Sequence, residues 1–571
     1  MQVNRRRWKP IPGAAALAAT ALLVGGVGLL RGALVPGGEA RNRTDWSKFA
    51  PGAMQTVRAG GEQSYVLQFR RPVLQSDLSV LHRTGARIRR RYAALPMMAV
   101  EADGPAVARL AALPQINRIS PDLAVRRTLD CAAPAVGAGN VVQNTATGQV
   151  AYYGTAPAAD GAAPLGAGFT GYGVSVAVID SGIAGSTDLA RSSADLSSRV
   201  VAGCDFVDED ELLTIQNNDK CGHGSSVAGI IAGNGHHSNQ YQNKTEYTYR
   251  RFAGVAPGAN LVNLRVLNRN GQGTVSAALA AIDWCLRNRT TYNIRVINLS
   301  LGHAPGESYQ TDPLCQAAER AWHAGMVVVC AAGNRGRKVA GDPASGVAYG
   351  TINSPGNDLF VLTVGATNTC TTAARGDDPV ATYSSRGPTR LDFVLKPDLV
   401  APGNRIIALR DRNSRLEKEL GPGNLVPLSY YWTSTSGGSV KPEYYQLSGT
   451  SMSAGFVSGA AALLLEKDPT LTPDDVKARL MKTARKVWRT DGTTPDIYSR
   501  GAGYLNIPAA LACSDRVCNG SRSPLVTNDG TRITVQYCQF LWGDQALWGD
   551  QALWGDQALW GDVSRVAIEG D

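Results

Sequence analysis

The sequence of 571 residues contains no Cys-x-x-Cys pair, so its ten cysteines do not indicate a zinc ribbon. Apart from residues 13–30, no run is long and apolar enough to cross a bilayer. Charged residues make up only 18% of the chain and apolar residues 44%, a balance typical of folded globular proteins rather than disordered ones. Because the length exceeds one ordinary domain, we expect one large domain with appendages.

Most of the chain lacks an excess of positive charge, although the formal net charge of the whole sequence is +10. Residues 1–130 hold 20 lysines and arginines and 8 acidic residues. The remainder of the chain therefore holds 37 lysines and arginines and 39 acidic residues. The remainder is therefore nearly neutral and lacks the basic footprint of a protein that binds polyanions. We expect no nucleic-acid partner.

The N-terminus has the order of an export signal. Basic residues up to Lys9 precede the apolar run at 13–30, and small residues follow up to Ala40. This order predicts a signal peptide over residues 1–40, followed by a polar linker at 41–62. A retained membrane anchor is the alternative. In either case the protein is expected to be secreted or held at the cell surface.

The cysteine count is even, which favours disulfide bonds in an oxidising compartment over free buried thiols. We predict one pair between Cys204 and Cys221 and another between Cys330 and Cys370. Free buried thiols are the alternative. Spacing alone does not fix the connectivity of ten cysteines.

Residues 63–127 alternate between strand-like and helix-like patterns. Strands are predicted around Tyr65–Phe69, Met97–Glu101 and Ile116–Ser120, with helices between them. A further strand around Ile88–Tyr92 would complete the β-α-β-β-α-β order of a ferredoxin-like unit. We therefore expect a small α+β domain ahead of the main one.

Residues 131–512 are predicted to form a doubly wound α/β domain with a parallel sheet flanked by helices. Apolar runs without clean alternation indicate strands that are covered on both faces. These runs are Val174–Asp180, Leu261–Leu267, Arg295–Leu301, Met326–Ala332 and Phe360–Gly365. In such a fold the functional site lies at the carboxyl ends of the strands.

Four short motifs far apart in the chain carry side chains suited to acyl transfer. Asp180 ends a strand, His223 lies in Cys-Gly-His-Gly, Asn334 ends Ala-Ala-Gly-Asn, and Ser451 lies in Ser-Gly-Thr-Ser-Met-Ser. Each residue alone is compatible with a turn or a helix cap. The order Asp, His, Ser is the one found in subtilisin-type triads. Over residues 64–512 the chain resembles the subtilisin-like serine proteases, of the secreted bacterial kind made with a propeptide.

The resemblance implies a role for each of these residues. A serine hydroxyl is a weak nucleophile, so His223 would take the proton of Ser451 while Asp180 holds the imidazole. The Asn334 side chain and the Ser451 backbone N–H would bind the oxyanion. No metal or other cofactor takes part in this chemistry. The family usually has Pro-His where Gly455 and Phe456 stand. This difference removes no catalytic group, but the loss of the proline would loosen the start of the helix.

Substrate would lie extended between two chain segments and pair with them through main-chain hydrogen bonds. By similarity the lining residues are Gly271, Gln272, Gly273, Ser300, Leu301 and Gly302. These segments contain no acidic residue, so we expect a mild apolar or aromatic preference at the cut site rather than a strong preference for Arg or Lys. An insertion at about 411–442 precedes Ser451 and could overhang the cleft.

Residues 63–127 resemble the inhibitory propeptide of these proteases, with a small accessory domain as the alternative. Their tail around Ala124–Arg127 would thread the active site and be cut there. The expected partners are therefore protein or peptide substrates and the chain's own propeptide.

Many members of this family bind calcium. Here an acidic cluster, formed by Asp205 and residues 208–211, lacks regular ligand spacing. A structural calcium ion and a solvated acidic loop are both compatible with it.

The C-terminal tail, residues 513–571, repeats Leu-Trp-Gly-Asp four times at a spacing of six. In an extended chain this spacing places every Trp on one face, which would suit contact with the cell envelope. A flexible tail is the alternative. The sequence thus predicts a secreted serine endopeptidase that matures by self-cleavage. A catalytically silent adhesion protein and a dedicated processing protease are the other hypotheses.

Overall fold

The computed structural model of the protein describes residues 44–128, 168–191, 195–207, 219–239, 252–370, 377–431, 441–486, 496–517, 520–528 and 533–536. The predicted signal peptide and the Leu-Trp-Gly-Asp repeats lie outside these ranges. Within them, no helix combines the length and the apolar character that a membrane span requires.

The N-terminal domain is a four-stranded antiparallel sheet with two helices on the β-α-β-β-α-β path. Its elements are β1 Gln63–Phe69, α2 Gln75–Arg83, β2 Arg87–Arg91, β3 Met97–Ala102, α3 Gly104–Ala111 and β4 Ile116–Pro121. The strand order β2-β3-β1-β4 is that of a ferredoxin-like unit. Leu67, Met98, Val107 and Ile119 are buried in its own core.

The prediction of a linker at 41–62 is wrong for the described part of that range. A 3₁₀ turn at Trp46–Lys48 leads into α1, Pro51–Ala59. Phe49 and Ala53 are buried in the core of the N-terminal domain, with Val57 packed against it. Apolar residues spaced four apart give this stretch an apolar helix face. The linker prediction overlooked this spacing because the stretch is rich in polar residues and glycine.

The main domain is built on a seven-stranded, all-parallel sheet, as the sequence predicts. The strands are β6 Ser175–Asp180, β7 Val200–Asp205, β8 Asn260–Arg265, β10 Ile294–Leu299, β12 Val327–Ala331, β13 Leu362–Thr367 and β14 Leu399–Pro402. Their order in the sheet is β14-β13-β12-β10-β6-β8-β7. The five predicted strands are present, whereas β7 and β14, at the two edges of the sheet, were not predicted.

Four long helices flank the sheet: α4 His223–Ala232, α6 Val275–Asn288, α7 Pro313–His323 and α9 Thr450–Lys467. Every residue of α9 from Thr450 to Leu465 is buried, as expected for a helix rich in Ala, Gly and Leu. α9 is continuous although it has no proline near its start. Gly455 lets α9 approach α4, since a Cβ there would lie 3.0 Å from a methyl group of Ile230.

The remaining described elements are β5 Ala124–Arg127, α5 His236–Asn239, β9 Gln272–Thr274, β11 Leu301–Gly302, β15 Ile406–Leu409, α8 Arg415–Leu420, β16 Tyr444–Leu447, α10 Pro473–Thr483, α11 Ile497–Arg500, α12 Ile507–Ala512, β17 Leu525–Asn528 and β18 Ile533–Gln536. The start of the predicted tail is tied to the main domain. Ser523 donates to Asp398, a fully buried carboxylate that also pairs with Lys396 at 2.7 Å.

Both predicted disulfide bonds are wrong. No disulfide bond is present among the cysteines of the described ranges, and Cys221 and Cys330 carry free thiols. Cys330 is fully buried inside β12, in the middle of the sheet, while Cys370 is exposed in a loop. The even cysteine count was a misleading guide because several of these residues serve as small apolar side chains of the core.

The half-buried carboxyl of Glu319 on α7 leads to a prediction about pH. Burial, and then the negative charge of Asp358, raise the pKa of Glu319 from 4.5 to about 8. The folded chain therefore keeps a proton that the unfolded chain loses above about 4.5, and stability falls as the pH rises from there to about 8. Glu319→Gln removes this penalty. We expect it to raise the melting temperature by a few degrees at pH 9 and hardly at pH 5. Equal shifts at both pH values in thermal melts would contradict the assignment.

Candidate active site

Two of the predicted site residues form a buried pair at the carboxyl edge of the sheet. β6 ends at Asp180, and α4 begins at His223. The His223 Nδ1 lies 2.7 Å from the Asp180 Oδ1, and neither side chain is exposed to solvent. This bond orients the imidazole and assigns the proton to Nδ1, which leaves Nε2 as the free basic nitrogen. Gly224 permits this proximity, because a Cβ there would lie 2.2 Å from the Gly182 carbonyl oxygen.

A second carboxylate, Asp219, fixes the loop that carries His223. Its Oδ1 accepts hydrogen bonds from the Ser181 hydroxyl and from the Cys221 and Gly222 N–H groups, at 2.8–3.2 Å. Its Oδ2 accepts from the N–H and the hydroxyl of Ser225. Burial raises the pKa of Asp219 although these hydrogen bonds oppose the shift. Asp219 was not predicted from the sequence, where its only signal was a position four residues before His223.

Ser451 lies in the first turn of α9, whose N-terminal amides favour negative charge. Its hydroxyl is 2.7 Å from the Thr128 carbonyl oxygen, 2.6 Å from the Thr128 hydroxyl and 3.1 Å from the Ser300 carbonyl oxygen. The His223 Nε2 is buried and has no hydrogen-bond partner among the described residues. The Ser451 hydroxyl is thus engaged with Thr128 rather than with the imidazole.

Asn334 follows β12 and is held beside the start of α9. Its Oδ1 accepts from the N–H and the hydroxyl of Thr450, both at 3.0 Å. These two bonds fix the amide so that Nδ2 faces away from Thr450. The Asn334 Nδ2 is buried and, within the described part of the chain, has no acceptor. A buried donor without an acceptor is costly, so this group is suited to an oxygen that arrives with a reacting substrate.

An extended segment of the chain itself lies along this edge. β5 pairs antiparallel with β9 on one side and with β11 on the other. The Arg127 N–H donates to the Gly271 carbonyl at 3.1 Å, and the Thr128 N–H donates to the Ser300 carbonyl at 3.2 Å. The structure therefore brings the segment containing Gly271, Gln272 and Gly273 and the segment containing Ser300, Leu301 and Gly302 to either side of one strand. That strand ends against Ser451.

The main domain resembles known proteins along most of its length. Residues 171–504 match the family model described as "Subtilase family", which is more than half of the chain. The chain belongs to the subtilase family. Serine protease AprX of Bacillus subtilis is 34% identical over 399 residues, which cover 68% of this chain and 73% of the relative. Subtilisin DY of Bacillus licheniformis is 33% identical over 344 residues, 60% of this chain and 92% of the relative.

A solved structure extends the likeness to the fold. Fervidolysin from Fervidobacterium pennivorans, described as a keratinolytic enzyme related to subtilisin, is similar with a TM-score of 0.55 and 18% identity. The match covers 83% of this chain and 67% of that one. By its family match and its relatives, this subtilase is a subtilisin-like serine endopeptidase, and its parallel-sheet fold is that of its family.

The described residues of this subtilase offer no ready calcium site. No group of three or more His, Cys, Asp or Glu side chains that could hold a metal ion occurs within the described ranges. The Asp205 carboxylate is already paired with Arg265. The rest of the predicted acidic cluster, residues 208–211, lies outside the described residues. Asp205 therefore does not fit a calcium ion.

Proposed function

We propose that this subtilase is a secreted endopeptidase, made as a self-inhibited precursor, which matures by cutting its own chain after Thr128. One observation carries the proposal. The segment 124–128 occupies the position expected of a substrate, with the carbonyl oxygen of Thr128 2.7 Å from the Ser451 hydroxyl. The bond to be cut, Thr128–Leu129, is one residue beyond the stretch 124–127 that the sequence suggested.

The proposed chemistry assigns each group one task. His223 Nε2 takes the Ser451 proton as the oxygen attacks the Thr128 carbonyl carbon, and Asp180 stabilises the imidazolium that forms. Asn334 Nδ2 and the Ser451 N–H donate to the oxyanion. The imidazolium then returns the proton to the Leu129 amine, which leaves. Water hydrolyses the acyl-enzyme by the same route. For the first step, the Ser451 hydroxyl must exchange its bond to Thr128 for one to His223 Nε2.

Contacts between the two domains support the inhibitory role. Asp122 accepts from the N–H and the hydroxyl of Ser276 at the start of α6, at 2.8 and 2.6 Å. In the other direction, the Glu307 carboxylate of the main domain accepts from Arg118 and Ser120 at 2.7–3.0 Å. These charge-assisted bonds hold the N-terminal domain so that its tail lies in the cleft. A bound tail of this kind blocks other substrates until the domain is released.

Purified protein should carry a new N-terminus at Leu129. N-terminal sequencing of the mature chain reads this directly, and a Ser451→Ala variant expressed in the same way should retain the segment 63–128. Secretion is tested in the same preparation by comparing the culture medium with the cells. A wild-type protein that keeps the N-terminal domain covalently attached, or that begins elsewhere, would contradict the proposed cleavage.

A further inference from the structure

The Arg127 side chain is enclosed and paired with a carboxylate, and cleavage after Thr128 does not by itself require either feature. Arg127 precedes Thr128, and its side chain is only 11% exposed. Its Nη1 donates to the Cys221 Sγ at 2.8 Å, and its Nη2 donates to the Glu419 Oε2 at 3.2 Å. A guanidinium is thus enclosed in a recess that carries an opposite charge.

One wall of this recess comes from the insertion that precedes Ser451. Glu419 lies on α8, and α8 is fastened to the loop that carries His223. The N–H groups of Arg415 and Leu416 donate to the carbonyls of Lys220 and Cys221, both at 3.0 Å. Leu416 is 2% exposed and packs into the main core. The insertion therefore holds Glu419 at a fixed place beside the candidate base.

The opposite wall is shaped for a long side chain. Gly271 adopts a φ of +70°, and a Cβ at this position would lie 2.6 Å from the Arg127 Cδ. Only glycine leaves room there for the aliphatic stem. Burial, followed by the nearby Asp219 charge, raises the pKa of the Cys221 thiol to about 11. The thiol is therefore neutral at physiological pH, and Glu419 supplies the negative charge opposite Arg127.

We infer that Glu419, Cys221 and Gly271 form a subsite for an arginine or lysine side chain one residue before the residue whose carbonyl is attacked. This inference rests on the proposed function and names its substrate class: chain segments with a basic residue at that position. The subsite concerns only the residue before the cut-site residue. The expected mild apolar or aromatic preference at the cut-site residue is a separate matter and does not change. The sequence did not predict Glu419 as a site residue, because it lies outside the two segments that pair with the substrate backbone.

The expected preference is moderate. Glu419 is 35% exposed, and its other oxygen accepts from the Arg415 Nε at 2.6 Å. The carboxylate therefore keeps a partner when no basic substrate is bound, and solvent screens its charge. A partly exposed charge-assisted hydrogen bond of this kind corresponds to about a tenfold preference in kcat/KM for arginine over an uncharged residue.

The first test uses quenched fluorescent peptides that reproduce residues 124–132 with Ser in place of Cys131, with Arg, norleucine or Glu at the Arg127 position. Matured wild-type protein should prefer Arg over norleucine by about tenfold and should cleave the Glu peptide most slowly. Glu419→Gln should bring the Arg and norleucine peptides to equal rates of cleavage, because it removes the negative charge opposite the guanidinium. Glu417→Gln is the matched control, since this carboxylate on the same helix pairs with Arg410 instead. It should keep the preference.

The second test is a charge exchange within the full chain. Arg127→Glu should slow self-cleavage, and adding Glu419→Arg should restore much of the rate, because the two charges are exchanged in place. Equal cleavage of the Arg and norleucine peptides by wild type, or no rescue by the double variant, would overturn the subsite and leave the proposed function standing. A wild-type protein that neither matures nor cleaves any of the peptides would overturn the proposed function and the subsite together.

Discussion

Ser451→Ala should arrest self-cleavage, so that the full-length precursor persists while wild type is converted. The expected loss in rate is about 10⁶-fold, the size of effect seen when the serine of a subtilisin triad is removed. The physical reason is that no other oxygen takes the place of the Ser451 hydroxyl, which lies 2.7 Å from the Thr128 carbonyl oxygen. The measurement is a time course of the precursor on a gel, started from freshly refolded protein.

Ser453→Ala provides the matched control for this experiment. Ser453 lies on the same buried helix, and its hydroxyl donates to the Ala401 and Pro402 carbonyls, both at 3.0 Å. It should mature at close to the wild-type rate even if it is somewhat less stable. Normal maturation of Ser451→Ala would exclude Ser451 as the nucleophile, whatever the behaviour of the control.

Asn334→Asp should lower the rate of self-cleavage by about 10²–10³, because one oxyanion donor is lost. The substitution keeps an oxygen to accept the two hydrogen bonds from Thr450, so the start of α9 should stay in place. It replaces the Nδ2 donor with an acceptor that repels the developing oxyanion. The first-order rate of precursor conversion, measured beside the melting temperature, separates lost chemistry from lost folding.

The control for this variant is Asn293→Asp. Asn293 precedes β10, so it lies at the opposite edge of the sheet from the site, and its Nδ2 donates to the Gly173 carbonyl at 2.7 Å. Its positive φ of 48° is one that aspartate tolerates. Asn293→Asp should mature normally. A wild-type rate for Asn334→Asp would remove Asn334 from the proposed oxyanion site.

Local patterns were sufficient to predict the framework of this subtilase. Apolar runs without alternation predicted the central strands, including β6, and the parallel sheet is confirmed. Thr472-Pro-Asp-Asp475 is a local signal for a helix start, and Thr472 and Asp475 form a capping box at the start of α10. These features depend on backbone preferences and burial within short segments, which the sequence records directly.

Features that depend on distant contacts could not be predicted in this way. Asp219 positions the His223 loop through a network that includes Ser181, 38 residues away in the sequence. Glu419 contacts Arg127 across 292 residues. Neither position has a local pattern that marks it. The predicted disulfide bonds failed for a related reason, because the distance between two cysteines is set by the whole fold and not by their count.

The reaction of the mature protein with a fluorophosphonate probe tests the central claim most directly. Such probes bond covalently to a serine only when it is activated as a nucleophile. We expect the intact mass of the product to be that of a chain beginning at Leu129 with one probe attached, and peptide mapping to place the probe on Ser451. A folded protein that takes up no probe, or that carries it on another residue, would contradict the account.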